Sequence, residues 1–283
     1  MTLLTVTNHS RDSAGLTYVY PVVSRRSGGV SIGINLNPNN ACNWQCVYCQ
    51  VPNLTRGAAP EVDVFLLEDE LRGLLEEVGS GQFFEHYGLP PEQRTIRDIA
   101  LSGNGEPTSC PQFAAVVGVI GQVCADFELF SRIKLVLISN GSLMQKSEVQ
   151  RGLAHWSELG GEVWFKLDSA TAAGRERINR IHLPNESVRR NLEACTRLCP
   201  TWLQTCLFAY DGQPPSATEQ AAYLEFLSGL ASDGIALEGA LLYGLARPSL
   251  QPEAGRLSTL PEAWLPAFAK KIEALGIAAQ VHH

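Results

Sequence analysis

The chain has no uninterrupted apolar run near the 18 residues that a membrane-spanning helix needs. Its opening, Met1-Thr2-Leu3-Leu4, leads into polar sequence instead of the apolar stretch of a secretory signal, so a cytoplasmic protein with no membrane partner is expected. Basic residues are in short supply: 22 Lys and Arg stand against 29 Asp and Glu, a formal net charge of -7. That balance gives no broad electrostatic footprint for nucleic acid. Local patches remain at Arg25-Arg26 and among Arg175, Arg177, Arg180, Arg189 and Arg190, the second group interspersed with acids as on an ordinary solvated helix. Internal repeats, low-complexity tails and coiled-coil heptads are missing. His155, His182, His282 and His283 fall in no metal-binding spacing. What is left, 283 residues with 45% hydrophobic content, suffices for one sizeable α/β core.

Cysteine is not scarce. With no export signal, the eight cysteines read as thiols in a reducing compartment and not as a disulfide framework. Three of them, Cys42, Cys46 and Cys49, crowd into the run Ala-Cys-Asn-Trp-Gln-Cys-Val-Tyr-Cys-Gln. Three closely spaced thiolates can hold three irons of a [4Fe-4S] cluster and leave the fourth open, which is a catalytic arrangement; structural sites fill every position. The plain alternative is a zinc knuckle or three packed thiols. Cys195, Cys199 and Cys206 span a helix end, Pro200 and a strand and offer no fourth ligand, so a second cluster is a weak reading. Cys110 and Cys124 read as packed thiols.

Apolar periodicity alternates between strand and helix. Strands are expected at 31–36, 96–101, 134–139, 161–168, 202–209 and 236–246, with helices at 64–79, 111–124 (Pro111 near its start), up to 155, 186–198 and 217–231. A helix at 261–275 and a short strand at 278–282 close the chain, and residues 1–27 read as an extension leading into the first strand. Such βα alternation favours a parallel sheet with crossover helices, but does not separate a barrel from a doubly wound sheet. Polar residues collect at strand ends: the cysteines after the first, Gly103-Asn104-Gly105-Glu106 after the second, Ser139 and Asn140 at the third, Lys166 and Asp168 at the fourth. Gln204 and Glu238 interrupt the fifth and sixth; a buried polar group needs a partner, so both are candidates to line a reactive chamber.

The C-x3-C-x2-C spacing with Tyr48 before its last cysteine resembles the signature of the radical S-adenosylmethionine (SAM) enzymes. Gly-Asn-Gly-Glu-Pro at 103–107 resembles that family's Gly-Gly-Glu-Pro element, in a form similar to the branch containing wybutosine-type tRNA enzymes. Leu242-Tyr243-Gly244-Leu245-Ala246-Arg247-Pro248 resembles the Leu-Tyr-x-x-Ala-Arg-Pro ending of small single-domain proteins of that branch.

The resemblance covers roughly residues 30–247 and implies a partial (β/α)6 TIM-like barrel, with an N-terminal extension over 1–29 and a C-terminal helix and strand over 248–283. It implies that Cys42, Cys46 and Cys49 bind a [4Fe-4S] cluster and that SAM chelates its open iron. Gly103, Asn104, Gly105 and Glu106 would approach the methionyl ammonium. Ser139, Asn140, Lys166 and Asp168 would face the ribose or carboxylate, and Gln204, Glu238 and Arg247 would contact substrate or cofactor. Reductive cleavage would then give a 5'-deoxyadenosyl radical that takes hydrogen from a small-molecule substrate, with electrons from a reductase such as flavodoxin or ferredoxin. A tRNA-base enzyme, an activase of a partner enzyme and a nonenzymatic iron-sulfur or zinc protein stay open as alternatives.

Overall fold

The computed structural model describes residues 14–24 and 29–282. Eight strands form one sheet: β1 (Val19–Ser24), β2 (Gly29–Ile34), β3 (Ile96–Leu101), β4 (Lys134–Ser139), β5 (Glu162–Lys166), β6 (Thr201–Cys206), β7 (Gly239–Tyr243) and β8 (Ala279–His282). Spatial order follows chain order from β1 to β8; β1 runs antiparallel to β2 and every other pair is parallel. A doubly wound sheet reverses its strand order at a switch point, whereas this one never does, so the crossovers all progress in one direction and the sheet curls into an open barrel. The fold class is therefore the partial barrel.

The helices are α1 (Val64–Ser80), α2 (Gln82–His86), α3 (Phe113–Asp126), α4 (Ser147–Glu158), α5 (Ala172–Asn179), α6 (Asn185–Thr196), α7 (Ala217–Ser232) and α8 (Trp264–Glu273). Period-2 alternation divides each strand between two environments. Ile32, Ile34, Ile99, Leu101, Leu135, Leu137, Val163, Phe165, Leu203 and Leu242 are buried in the core shared with helical residues such as Leu71, Val117, Leu153, Leu192, Leu227 and Phe268. The intervening residues face the hollow of the barrel and are mostly polar or aromatic. Apolar positions thus fix the barrel, and the inner ones are left for a ligand.

Several boundaries differ from the sequence expectation. The sixth strand begins at Gly239, three residues later than expected, and α3 begins at Phe113, leaving Pro111 outside the helix. Part of the stretch read as an extension is β1, an edge strand that tolerates Pro21. Its approach is pinned by the buried Glu70 of α1, whose carboxylate accepts the backbone N–H groups of Thr17, Tyr18 and Val19 at 2.7, 2.7 and 3.2 Å. Helix α5 was not expected from its sequence.

Candidate active site

A cavity of about 550 Å³ occupies the barrel, within the size range of small-molecule sites. Cys42, Cys46 and Cys49 line its mouth on the loop after β2. That loop is held from three sides. Its return strand pairs Ala41 and Cys42 with Thr55 and Arg56, and the Arg56 guanidinium donates to the carbonyls of Asn43 and Arg180. The end of α5 accepts the N–H groups of Gln45 and Val47 on the carbonyls of Asn179 and Ile178. A strap after β7 covers the rest: Ser249 Oγ donates to the Val47 carbonyl at 2.7 Å, and Gln251 Nε2 to those of Cys49 and Val51 at 3.1 and 3.0 Å.

The loop after β3 packs against this one, and its glycines serve that packing. A Cβ on Gly103 would sit 2.3 Å from Asn35 Oδ1, and one on Gly105 would sit 2.1 Å from the Ala41 carbonyl oxygen. The Asn104 side chain donates to Asn40 Oδ1 at 2.6 Å, while its own buried Oδ1 has no partner. Glu106 is turned inward and 2% exposed, at the edge of the cavity. Its carboxylate accepts the Thr108 N–H and hydroxyl, the Ser139 hydroxyl and the Asn140 N–H. Burial pushes the Glu106 carboxyl above its ordinary range, against the pull of those bonds. Asn140 carries the link onward, its Nδ2 donating to Asn43 Oδ1 in the cysteine loop at 2.7 Å.

Not every expected residue reaches the cavity. Gly103, Asn104, Gly105, Glu106, Asn140, Lys166, Gln204 and Arg247 line it, the Glu106 carboxylate accepting from Thr108, Ser139 and Asn140. Ser139 and Asp168 do not line it. The Ser139 hydroxyl is spent on Glu106 and on the Gly141 N–H. Asp168 sits behind the wall and accepts from the Tyr48 hydroxyl, Asn179 Nδ2 and the Cys206 N–H. Glu238 is a correction: it precedes β7 instead of interrupting it and is exposed, so it needs no buried partner.

Lys166 and Gln204 are register neighbours on β5 and β6, as are Trp164 and Trp202 one step below. The Lys166 ammonium lies 5.3 Å from the centre of the Tyr48 ring. Burial opposes its charge, but Asp168 and the Cys46, Cys206 and Cys49 sulfurs outweigh that and hold it above the ordinary lysine range. Gln204 Oε1 is buried and has no hydrogen-bond partner. Burial raises the Cys46 and Cys206 thiols, and pushes Cys42 up to about 12.

Sequence reasoning missed four residues here: Tyr243 and His282, which stack at 4.7 Å along the cavity, Asn179, and Cys206 as a cavity thiol. The strands of the first two show no clean alternation, Gly239 to Leu242 being buried throughout and Ala279 to His282 nowhere fully, so periodicity gives no signal for them. Cys195 and Cys199 are buried away from the cavity, bonded to Thr201 Oγ1 and the Gly161 carbonyl, so the three cysteines of the weak second-cluster reading do not come together. The arginines of the expected basic patch are largely spent on the protein itself. Arg175 is buried and donates to the carbonyls of Ser169 and Leu183; Arg180, Arg189 and Arg190 pair with Glu253, Asp233 and Glu186; Arg177 covers Tyr210. Arg25 and Arg26 lie outside the described residues.

The donor set fits the groups that the motif implies. Among the described residues no three His, Cys, Asp or Glu side chains converge on a single metal ion. A cubane spreads its cysteine ligands over separate corners, and three cavity-facing thiols on one loop suit it better than they suit one zinc. The unpartnered Asn104 Oδ1 suits an ammonium donor, and Lys166 suits a carboxylate.

Comparisons with known proteins agree with this geometry. No family model matches the chain. A UPF0026 protein of Helicobacter pylori is 26% identical over 178 residues, 62% of this chain and 50% of that one; another, of Methanocaldococcus jannaschii, is 28% identical over 162 residues, 57% and 43% respectively. The chain thus spans about half the length of the curated relatives it matches. Among solved structures, a radical SAM methyltransferase from Sphaerobacter thermophilus superposes with a TM-score of 0.56 at 13% identity, covering 93% of this chain and 68% of that one. TYW1 with a lysine-pyruvate adduct bound gives a TM-score of 0.55 at 14% identity, covering 86% and 73%. The chain has the fold of the radical SAM enzymes, with Cys42, Cys46 and Cys49 at the mouth of its barrel.

Proposed function

We propose that the protein is a radical SAM enzyme whose cluster is held by Cys42, Cys46 and Cys49 and which acts on a small molecule inside the barrel. The observation that carries this reading is the convergence of three cysteines on one cavity with Lys166 and the unpartnered Asn104 Oδ1. When bound, a [4Fe-4S] cluster would supply the one electron that breaks a sulfonium carbon-sulfur bond of SAM, releasing methionine and providing the 5'-deoxyadenosyl radical chemistry that takes a hydrogen atom from substrate.

The chain's own residues do the rest. Lys166 opposes the cofactor's carboxylate, and Asn104 Oδ1 with the backbone of residues 103–105 receives its ammonium. Asn140 lines the cavity with its amide tied to Asn43 and Ser142, while Glu106, Ser139 and Asp168 act as positioning residues. Below them, Trp164 and Trp202 form an aromatic floor, and Gln204 Oε1 takes a hydrogen-bond donor from the substrate. Arg247, at the strap, holds a carboxylate or phosphate. A reductase such as flavodoxin or ferredoxin supplies the electron. A small molecule is favoured over tRNA because the cavity also has to admit the cofactor and because Arg175, Arg180, Arg189 and Arg190 are engaged within the protein.

Iron content and electron paramagnetic resonance test the cofactor assignment. After anaerobic reconstitution the expectation is about four irons per chain and a reduced-cluster spectrum that changes when SAM is added. A chain that prefers zinc, or a cluster whose spectrum ignores SAM, would overturn it.

A further inference from the structure

Asn179 is the last residue of α5, and Arg180 ends the helix in the left-handed region at φ 58°. The asparagine is fully buried. Its carbonyl receives the Gln45 N–H of the cysteine loop at 3.1 Å. Its Nδ2 lies 3.2 Å from Cys46 Sγ and 2.7 Å from Asp168 Oδ2, so the two amide hydrogens meet two acceptors. The opposite amide orientation would turn Oδ1 toward both acceptors. Oδ1 itself is buried without a partner, a desolvation cost that the two donated bonds have to offset. A side chain kept at that cost, aimed at one of three cysteines, calls for a reason beyond packing.

We infer that Asn179 is a positioning residue that raises the reduction potential of the cluster through its hydrogen bond to Cys46. The inference rests on the cluster assignment above. Reduction adds one electron whose charge spreads onto the cluster sulfurs and their cysteine ligands; an N–H donor at a ligand sulfur stabilises that added charge. Asn179 also stands between Cys46 and the carboxylate of Asp168, which disfavours negative charge at that sulfur. Because Tyr48 and the Cys206 N–H hold Asp168 independently, removing Asn179 leaves the carboxylate in place. Both consequences of its loss therefore act in one direction, toward a cluster harder to reduce. Among the described residues Cys42 receives a backbone donor, Trp44 N at 3.4 Å, whereas Cys46 receives a side-chain donor, which makes Cys46 the ligand tuned by a side chain.

The test is a redox titration, without SAM, of reconstituted wild type, Asn179→Leu and Asn179→Asp, followed by electron paramagnetic resonance. Leu keeps the approximate size; Asp keeps the shape but offers no N–H. At a fixed potential each variant is expected to show about a tenfold lower ratio of reduced to oxidised cluster, 59 mV for one electron, with iron content near wild type. A variant with full iron and an unchanged potential overturns the inference. Loss of the cluster from both variants overturns it as well, by assigning Asn179 to loop structure alone. A wild type that assembles no cluster fails in a different way: it removes the cluster assignment, and this inference falls with it.

Discussion

At Glu106 the motif carries a structural duty as well. A glutamate in a Gly-Asn-Gly-Glu-Pro run looks like a ligand to the cofactor, and here one of its oxygens receives Thr108 and Ser139 while the other receives a single donor, the Asn140 N–H. It ties the loop after β3 to the end of β4 and, through Asn140, to the cysteine loop. Burial raises its folded-state pKa above the ordinary value of 4.5. The contribution to stability is therefore complete below that value and is lost as pH rises through the raised one. Glu106→Gln abolishes this titration and sets an amide donor against the N–H of either Thr108 or Asn140, costing about 1–3 kcal/mol. In melting curves of the metal-free proteins between pH 4 and 8, the wild type's advantage over the variant is expected to be largest at the acid end and to shrink upward. An advantage that grows with pH would mean that the hydrogen bonds outweigh burial. The glycines teach the same lesson. Gly103 and Gly105 were readable as backbone needed close to something, but only the structure reveals Asn35 and the Ala41 carbonyl as that something.

Elements were legible where their apolar periodicity was clean. Strands β3 and β4 begin and end where expected: Lys134–Ser139 is a short apolar run with marked ends, and Ile96–Leu101 closes on buried Ile99-Ala100-Leu101 just before the glycine-rich turn. Helix α5 was invisible since its buried positions are Gly174, Arg175 and Asn179, a polar face that periodicity does not register. Arg175 is covered because backbone carbonyls and Asn185 take up its guanidinium. The strap at 249–251 was equally hidden, its role carried by hydroxyl and amide side chains that bond loop carbonyls. Gln251→Leu removes two of those bonds, worth about 1–2 kcal/mol together. The reconstituted variant should release iron to a chelator roughly 5–10-fold faster than wild type, with a small drop in melting temperature. Release at the wild-type rate would show that the strap does not hold the loop.

At the level of the whole molecule, the chain reads as a barrel turned inside out relative to a filled core. Outward strand positions are aliphatic and seat the helices, while inward ones, Lys166, Gln204, Trp164, Trp202, Tyr243 and His282, surround a hollow of about 550 Å³. Lys166 and Gln204 were legible because they break apolar runs. Glu238 misled by the same rule, since it stands outside the strand it was thought to interrupt. Alternation in the sequence could not distinguish a barrel from a wound sheet; strand order does, and with it the three cysteines, the loop after β3 and the two tryptophans share one space.

Whether that space performs radical chemistry is tested most directly by 5'-deoxyadenosine. Mass spectrometry would follow its formation from SAM by the reconstituted, reduced protein, alone and with a small-metabolite extract, against Cys46→Ala under the same conditions. The account predicts product from the wild type and none above background from the variant. An intact, reduced cluster with SAM bound and no product, even with extract present, would contradict it.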